Sequence, residues 1–250
     1  MDILSETAAW LADPAHWSGA DGIPARLAEH IGISLVSLLI AVVIGLPLGL
    51  WVGHTRRGSG VVIGLAGVAR AVPSLALIGL VIPITQAIDP DRGFGLYPTV
   101  FAMVALAIPP ILVNAFAGVQ GVDAEVVEAA RGQGLTEGQV LRRVELPLAL
   151  PVVLGGVRSA SIQIIGTTTL GAIFGLGALG RFIVDGIAQN DDGMLFGGVV
   201  LVAVLAMASE ALLAGAQRLA EARSRPGRGR SDDAARTWLS FGGVRPWWEH

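Results

Sequence analysis

Five long apolar runs constrain what this chain can fold into. The clearest one, residues 31–53, contains 23 residues and no charged side chain. As an α-helix it would be about 34 Å long at about 1.5 Å per residue, enough to cross the roughly 30 Å hydrocarbon core of a bilayer. Charged residues make up 15% of the chain, compared with about 25% in soluble domains. The sequence therefore predicts an all-α protein with about five transmembrane helices.

The spans contain features that predict close packing and bends. Gly45, Gly49 and Gly53 share one face of the first span, a spacing of small residues that permits close helix contact. Pro73 breaks the second run and Pro109-Pro110 bends the third, because proline removes a backbone hydrogen bond from a helix. The four further runs cover residues 58–88, 96–119, about 148–176 and 193–215.

The distribution of arginine predicts the orientation of the spans. Residues 31–217 form the predicted transmembrane domain. Residues 1–30, which we expect to lie outside, are predicted to be either a helix at the membrane surface or loosely ordered. Residues 218–250 form an arginine-rich tail, expected to be disordered and cytoplasmic. With the N-terminus outside, twelve of the 17 arginines lie inside, three lie outside, and Arg70 and Arg158 fall within spans. Cytoplasmic loops carry such an excess of positive charge, so we expect a multi-pass protein of the cell membrane with this orientation.

The longest polar interruption predicts two short helices around a tight turn on the cytoplasmic side. Asp123 can cap the first helix, and Gly134 suits the left-handed residue just beyond its end. Thr136 and Gln139 have the spacing of a capping box for the second helix. A compact hairpin of small residues between membrane spans is suited to docking into a groove on another protein.

This interruption resembles the coupling loop of binding-protein-dependent ABC importer permeases. Glu128-Ala129-Ala130, Gly134 and Leu146-Pro147 have the spacing of the family motif, and Val144 stands where isoleucine is usual. In that family the loop inserts into a cleft of a cytoplasmic ATPase. The resemblance implies a type I ABC importer permease fold, with a coupling loop over residues 123–147. Its coupling residues would be Glu128, Ala129, Ala130, Gly134, Leu146 and Pro147. An ordinary cytoplasmic helical hairpin is the alternative.

Two further stretches resemble the osmoprotectant permeases, the group that transports glycine betaine, choline and carnitine. They are residues 70–77, Arg-Ala-Val-Pro-Ser-Leu-Ala-Leu, and the glycine-rich residues 175–180. The second stretch also matches a dinucleotide-binding fingerprint by its letters, but that fingerprint requires a strand, a turn and a helix, so we predict a turn. The resemblance covers roughly residues 31–217. It implies a permease dimer, two cytoplasmic ATPases that bind ATP, an extracytoplasmic solute-binding protein and alternating access.

Polar residues within the spans are candidates for a transport pathway. Arg70 lies in a gate element or, alternatively, reaches the cytoplasmic interface. We expect Asn114 to form a hydrogen bond to another helix rather than to contact the solute. The fourth span is the most polar, and its side chains line a pathway or, alternatively, pack between subunits. The candidate pathway or gate residues are Arg70, Pro73, Ser74, Asn114, Ser161, Gln163, Thr167 and Thr168.

The composition excludes several kinds of chemistry. All basic residues are arginine, so the chain has no lysine for a Walker A loop or for a Schiff base. It has no cysteine for a disulfide or a thiolate metal site. We therefore expect no enzymatic activity, no metal and no cofactor on this chain, with ATP bound by a partner. We also expect no nucleic-acid binding, because the arginine-rich tail lacks a folded scaffold.

The identity of the solute is less constrained. Recognition of a quaternary ammonium group usually requires an aromatic cage. The chain has one tyrosine, and its tryptophans lie near the termini or at a span end. Selection would then reside on the extracytoplasmic binding protein, and methionine or another small polar solute is an alternative. An ion-coupled carrier is the other alternative; it would require buried acids within spans, and only Glu210 qualifies.

Overall fold

The computed structural model describes residues 2–60, 62, 64, 67 and 72–224, and the secondary structure of these residues is helical. Two short 3-10 turns, Pro14–Trp17 and Ala172–Phe174, and one π-helical segment, Leu141–Glu145, accompany the α-helices. The α-helices are α1 (Ile3–Ala12), α2 (Ile23–Thr55), α3 (Ser74–Ile88), α4 (Leu96–Gln120), α5 (Ala124–Gly132), α6 (Glu137–Val140), α7 (Leu146–Gly171), α8 (Gly180–Gln189) and α9 (Asp192–Ser224).

Four helical stretches in the described part of the chain are long and apolar enough to cross a membrane. They are Ile23–Thr55, Leu96–Gln120, Glu137–Phe174 and Asp192–Ala222. The second predicted span is represented by α3, which has 15 residues and is therefore only about 22 Å long. Pro73 directly precedes α3 with an extended backbone, which confirms the predicted break. The first half of that span falls mostly outside the described residues.

Both predicted ends of the transmembrane domain fall inside helices. The first span begins at Ile23 rather than at residue 31, and the last helix continues to Ser224, past the predicted start of the tail. The N-terminal segment contains a helix, α1, whose Trp10 is buried, with its ring centroid 5.2 Å from that of Phe182. Of the two alternatives predicted for the N-terminal segment, residues Ile3–Ala12 therefore form a helix and are not loosely ordered. Residues 225–250 of the tail lie outside the described part of the chain.

Helices α2, α4 and α7 form the core of the membrane domain. The predicted glycine face of α2 lies against α4. A Cβ atom added at Gly49 would lie 2.5 Å from the carbonyl oxygen of Leu112 and 2.7 Å from the Cβ of Ala115. Only a glycine permits so close an approach of the two backbones. The central buried cluster consists of Ala41, Met103, Ala107, Ile111, Ala160 and Ile164.

The polar interruption of residues 123–147 forms a hairpin, but its second arm is not the separate short helix that the sequence predicted. Helix α6 continues through the π segment Leu141–Glu145 directly into α7. Pro147 lies in the first turn of α7 and has no N–H to donate. Before it, the N–H of Leu146 bonds to the carbonyl of Leu141, one residue further back than in an α-helix. The wider turn allows one continuous helical rod at a position where the sequence predicted the start of a new helix.

Candidate functional site

Local capping contacts shape the hairpin of residues 123–147. Asp123 Oδ1 accepts a 2.9 Å hydrogen bond from the N–H of Glu125 at the start of α5. Gly134 has φ of +85° at the tight turn, a conformation that L side chains rarely adopt. The capping box is present, with Gln139 Oε1 accepting from the N–H of Thr136 at 2.9 Å. These three predictions from the sequence are confirmed.

A small apolar core holds the two arms of the hairpin together. Val122, Val127, Ala130 and Val140 are buried within it. Ala130 therefore packs inside the hairpin and does not face outward. Of the predicted coupling residues, Glu128, Ala129, Gly134 and Pro147 are exposed, and Leu146 is half-buried. The surface that the hairpin offers to another protein is accordingly small, with a glycine at the turn.

Charged side chains brace the hairpin and attach it to the first span. Nε and Nη2 of Arg131 in α5 each donate a 2.9 Å hydrogen bond to Glu137 in α6. These bonds raise the pKa of Arg131 above its ordinary value, and they lower the pKa of Glu137. The ring of His54, at the end of α2, lies between two carboxylates. Nε2 is 3.1 Å from Glu137, and Nδ1 is 2.5 Å from Glu145.

The contact between His54 and Glu145 was not found from the sequence. The two residues are 91 positions apart, and no local pattern pairs them. Glu145 has a buried side chain despite its charge, and a buried carboxylate requires a partner. His54 stands on the last turn of α2, where a positive charge is favoured by the helix dipole. The signal that the sequence offers is an acidic residue, Glu145, between the apolar residues Val144 and Leu146 of the motif.

Two of the four predicted pathway residues of the fourth span, Ser161 and Thr168, lie in contacts between helices. The hydroxyl of Ser161 is 2.7 Å from that of Ser209 in α9. The hydroxyl of Thr168 is 3.0 Å from that of Ser34 in α2. Thr167 is buried and donates to the carbonyl of Gln163, whose own side chain is exposed. These contacts are polar packing within one chain, which differs from the predicted alternative of packing between subunits, and a role in a pathway stays a prediction.

The other pathway candidates lie on other elements. Asn114 donates a 2.7 Å hydrogen bond to the carbonyl of Pro110 in its own helix, and the expected bond to another helix stays a prediction. Gly156 of α7 packs directly on Asn114 and offers no side chain to accept a bond. Pro73 is exposed and Ser74 is the first residue of α3. Arg70 lies outside the described residues.

Arg158, the arginine within the fourth span, has an acidic partner in α9. Its guanidinium forms an ion pair with Glu210 and donates a 3.3 Å hydrogen bond to Gln217. Charges inside a membrane span are costly unless they are paired. The pair therefore makes both charges tolerable and links α7 to α9. Glu210 was considered from the sequence as a possible carrier acid, and the structure shows it engaged with Arg158 instead.

The glycine-rich residues 175–180 form the predicted turn. Gly175 has φ of +85° and Ala178 has φ of +58°. The N–H of Ala178 donates a 2.8 Å hydrogen bond to the carboxylate of Glu29, which fixes the turn to the beginning of α2. Among the residues that the structure describes, no group of three or more His, Cys, Asp or Glu side chains is placed to hold a metal ion.

Comparison with known proteins identifies relatives of this chain. The choline transport system permease protein OpuBB of Bacillus subtilis (strain 168) is 35% identical over 190 residues, which cover 76% of this chain and 84% of the relative. The glycine betaine/carnitine/choline transport system permease protein OpuCB of the same organism is 33% identical over 193 residues, covering 77% and 86%. Among solved structures, a chain of the MetNI methionine ABC transporter in inward-facing conformations matches with a TM-score of 0.71 and 24% identity. The match covers 84% of this chain and 99% of that chain, and it shows the type I ABC importer permease fold.

Residues 45–226 match the family model described as the binding-protein-dependent transport system inner membrane component. The matched region runs from the glycine face of α2 to the end of α9 and includes the whole hairpin. The chain is therefore a membrane protein of the family of binding-protein-dependent transport system inner membrane components.

Proposed function

We propose that this chain is the membrane-spanning subunit of an ATP-driven ABC importer for osmoprotectants such as choline, glycine betaine and carnitine. The observation that carries the proposal is the hairpin of residues 123–147. It leaves Glu128, Ala129 and Gly134 exposed, and its second arm is continuous with the membrane helix α7. A protein that binds this hairpin can therefore move a membrane helix without an intervening flexible joint.

The proposed partners follow from this geometry. The hairpin would dock into a groove of a cytoplasmic ATPase, with the N-terminus of the chain outside and the tail inside. ATP would bind to that ATPase, because this chain has no lysine for a phosphate-binding loop. A second permease subunit would complete the pathway, and an extracytoplasmic protein would deliver the solute. Closure of the ATPase pair on ATP would move the hairpins and reorient the spans by alternating access.

The proposed solute class rests on the relatives, whose names refer to choline, glycine betaine and carnitine. The aromatic contacts Phe94–Phe174 and Trp10–Phe182 lie at the end of the bundle opposite the hairpin. They pair rings with each other and do not surround an open site. This supports the proposal that selection resides on the binding protein. Methionine, named for the similar transporter structure, is the competing solute.

The proposal is tested by replacing Gly134 with Asp. The substitution places a carboxylate at the exposed turn, and the positive φ strains the backbone. Gly58→Asp is a matched control. Gly58 has φ of +81°, a Cβ added there would also meet nothing within 4 Å, and it lies near the hairpin end of α2. Each variant is purified from membranes in mild detergent, co-purifying proteins are identified by mass spectrometry, and ATP-dependent uptake of radiolabelled choline and methionine is measured in proteoliposomes.

We expect the wild-type chain and Gly58→Asp to retain a Walker-motif ATPase and to import choline on ATP. We expect Gly134→Asp to insert normally but to lose the ATPase, or to hydrolyse ATP without import. Normal transport by Gly134→Asp would refute the role of the hairpin. Uptake that persists without ATP and stops when the ion gradient is dissipated would instead identify an ion-coupled carrier. Import of methionine in place of choline would correct the solute class.

A further inference from the structure

We propose that His54 is a positioning residue for energy coupling, fixing the hairpin of residues 123–147 to the end of the first span. This inference rests on the proposed function, since it describes how motion of the hairpin reaches α2. The path is a chain of polar contacts from Glu145 through His54 and Glu137 to Arg131. It joins α2 to both arms of the hairpin and to the start of α7.

The position of Glu145 makes this contact directional. Glu145 is the last residue of the π segment, immediately before α7. Its side chain is only 6% exposed, and that of His54 is 12% exposed. The two ring nitrogens of His54 face two different carboxylates, Nδ1 that of Glu145 and Nε2 that of Glu137. A hydrogen bond to a carboxylate is charge-assisted, and such bonds are stronger and more specific in geometry than neutral ones.

The apolar contacts at the same place do not fix this geometry. Leu50 of α2 and Leu141 of the π segment pack on one shared cluster, which contains Ala115 and Ala149. Apolar packing of this kind is non-directional, so it holds the elements together without setting their relative rotation. The hydrogen bond of His54 to Glu145 and its close contact with Glu137 supply the angular restraint. Arg131 acts on the other side of Glu137 and ties that carboxylate to the first arm.

The structure also suggests how to separate positioning from folding. Removal of His54 alone leaves Glu145 as a buried charge without this partner, which can destabilise the protein. Replacement of both His54 and Glu145 by leucine removes the hydrogen bonds but leaves no uncompensated charge between them, and such replacements are commonly tolerated. The neighbouring Thr55→Ala is a matched control, because the recorded bond of the Thr55 hydroxyl, among the described residues, lies within its own helix, to the carbonyl of Trp51.

The test uses the full complex in proteoliposomes with wild type, His54→Ala, the double variant His54→Leu/Glu145→Leu, and Thr55→Ala. Two quantities are measured: the amount of ATPase that co-purifies, and the solute imported per ATP hydrolysed. A third readout is the mobility of a spin label on Gly138→Cys in α6. A side chain at position 138 meets nothing within 4 Å, and the chain has no other cysteine.

We expect His54→Ala and the double variant to retain the ATPase but to import about fivefold less solute per ATP, a modest coupling change between linked sites. The spin label should become more mobile in both variants, and Thr55→Ala should behave as wild type. If the His54→Ala protein does not accumulate in the membrane, the role of His54 is decided by the import per ATP of the double variant alone. Wild-type import per ATP in the double variant, with an unchanged label, would overturn the role of His54. If the wild-type chain retains no ATPase, it is the proposed function that fails.

Discussion

Gly49 provides the sharpest test of how the membrane core is packed. We consider Gly49→Ala, which adds one methyl group where α2 lies against α4. An ideal Cβ at this position would lie 2.5 Å from the carbonyl oxygen of Leu112 and 2.7 Å from the Cβ of Ala115. Both neighbours belong to a helix backbone or to its short side chain, so neither can rotate out of the way. The two helices must separate instead.

The size of the effect follows from these distances. Ordinary van der Waals contact begins near 3.4 Å, so α2 and α4 must move apart locally by about 1 Å. Overpacking of this kind costs about 1–3 kcal/mol. For a chain of 150–250 residues, 1 kcal/mol corresponds to about 2–4 °C in the midpoint of thermal unfolding. A cost of about 2 kcal/mol therefore predicts that the midpoint falls by about 4–8 °C.

Gly32→Ala is the matched control, because it makes the same change in the same helix. A Cβ at Gly32 would meet nothing within 4 Å, and alanine favours a helix over glycine by about 1 kcal/mol. The midpoint of this variant should be equal to that of wild type or slightly higher. The assay is thermal unfolding of the purified chain in mild detergent, followed by the loss of the monodisperse peak in size-exclusion chromatography. The prediction is refuted if the unfolding midpoint of Gly49→Ala equals that of wild type. It is also refuted if the midpoint of Gly32→Ala falls by as much as that of Gly49→Ala.

Two further predictions concern charged pairs. Glu210→Ala, which removes the acidic partner of Arg158 within a span, should lower the midpoint of thermal unfolding, because a charge within a span is costly without its partner. Replacing both Arg158 and Glu210 by leucine should restore most of the lost stability in the same unfolding assay. An equal loss of stability in the single and the double variant would contradict the pairing. For Glu137, the bonds from Arg131 lower the pKa below its ordinary value of 4.5, so their stabilisation is complete above that value and is lost as the pH falls through the lowered pKa. When the pH is lowered through that window, the midpoint of thermal unfolding should therefore fall more for wild type than for Glu137→Gln. Midpoints that fall in parallel for the two proteins would contradict the prediction.

The parts of the hairpin that could be predicted are those determined by neighbours in sequence. Asp123, Gly134 and the Thr136–Gln139 box each act within about four residues, so their residue types carry the information. The same is true of the extended residue Pro73 before α3. Apolar runs likewise predicted the long membrane helices, because about 20 apolar residues in succession have few other solutions.

The contacts that could not be predicted join residues far apart in sequence. His54 and Glu145 meet only because α2 ends beside the π segment, and Arg158 meets Glu210 only because α7 packs on α9. A polar residue in a span indicates that its side chain requires a hydrogen-bonding or ionic partner, but the sequence does not identify that partner. Asn114 shows the ambiguity, since its requirement is met by a carbonyl of its own helix.

The unbroken rod from Glu137 to Phe174 has a mechanical consequence. Its 38 residues correspond to a beam about 57 Å long. Gly156, which packs on Asn114 and on the carbonyl of Pro110 in α4, lies near its midpoint, with arms of about 28 Å and 27 Å on either side. A beam with this fulcrum has a mechanical advantage close to one. Displacing the tip at the hairpin by the width of one water molecule would swing the opposite tip by the same distance in the opposite direction, so one end of the bundle would narrow as the other widens.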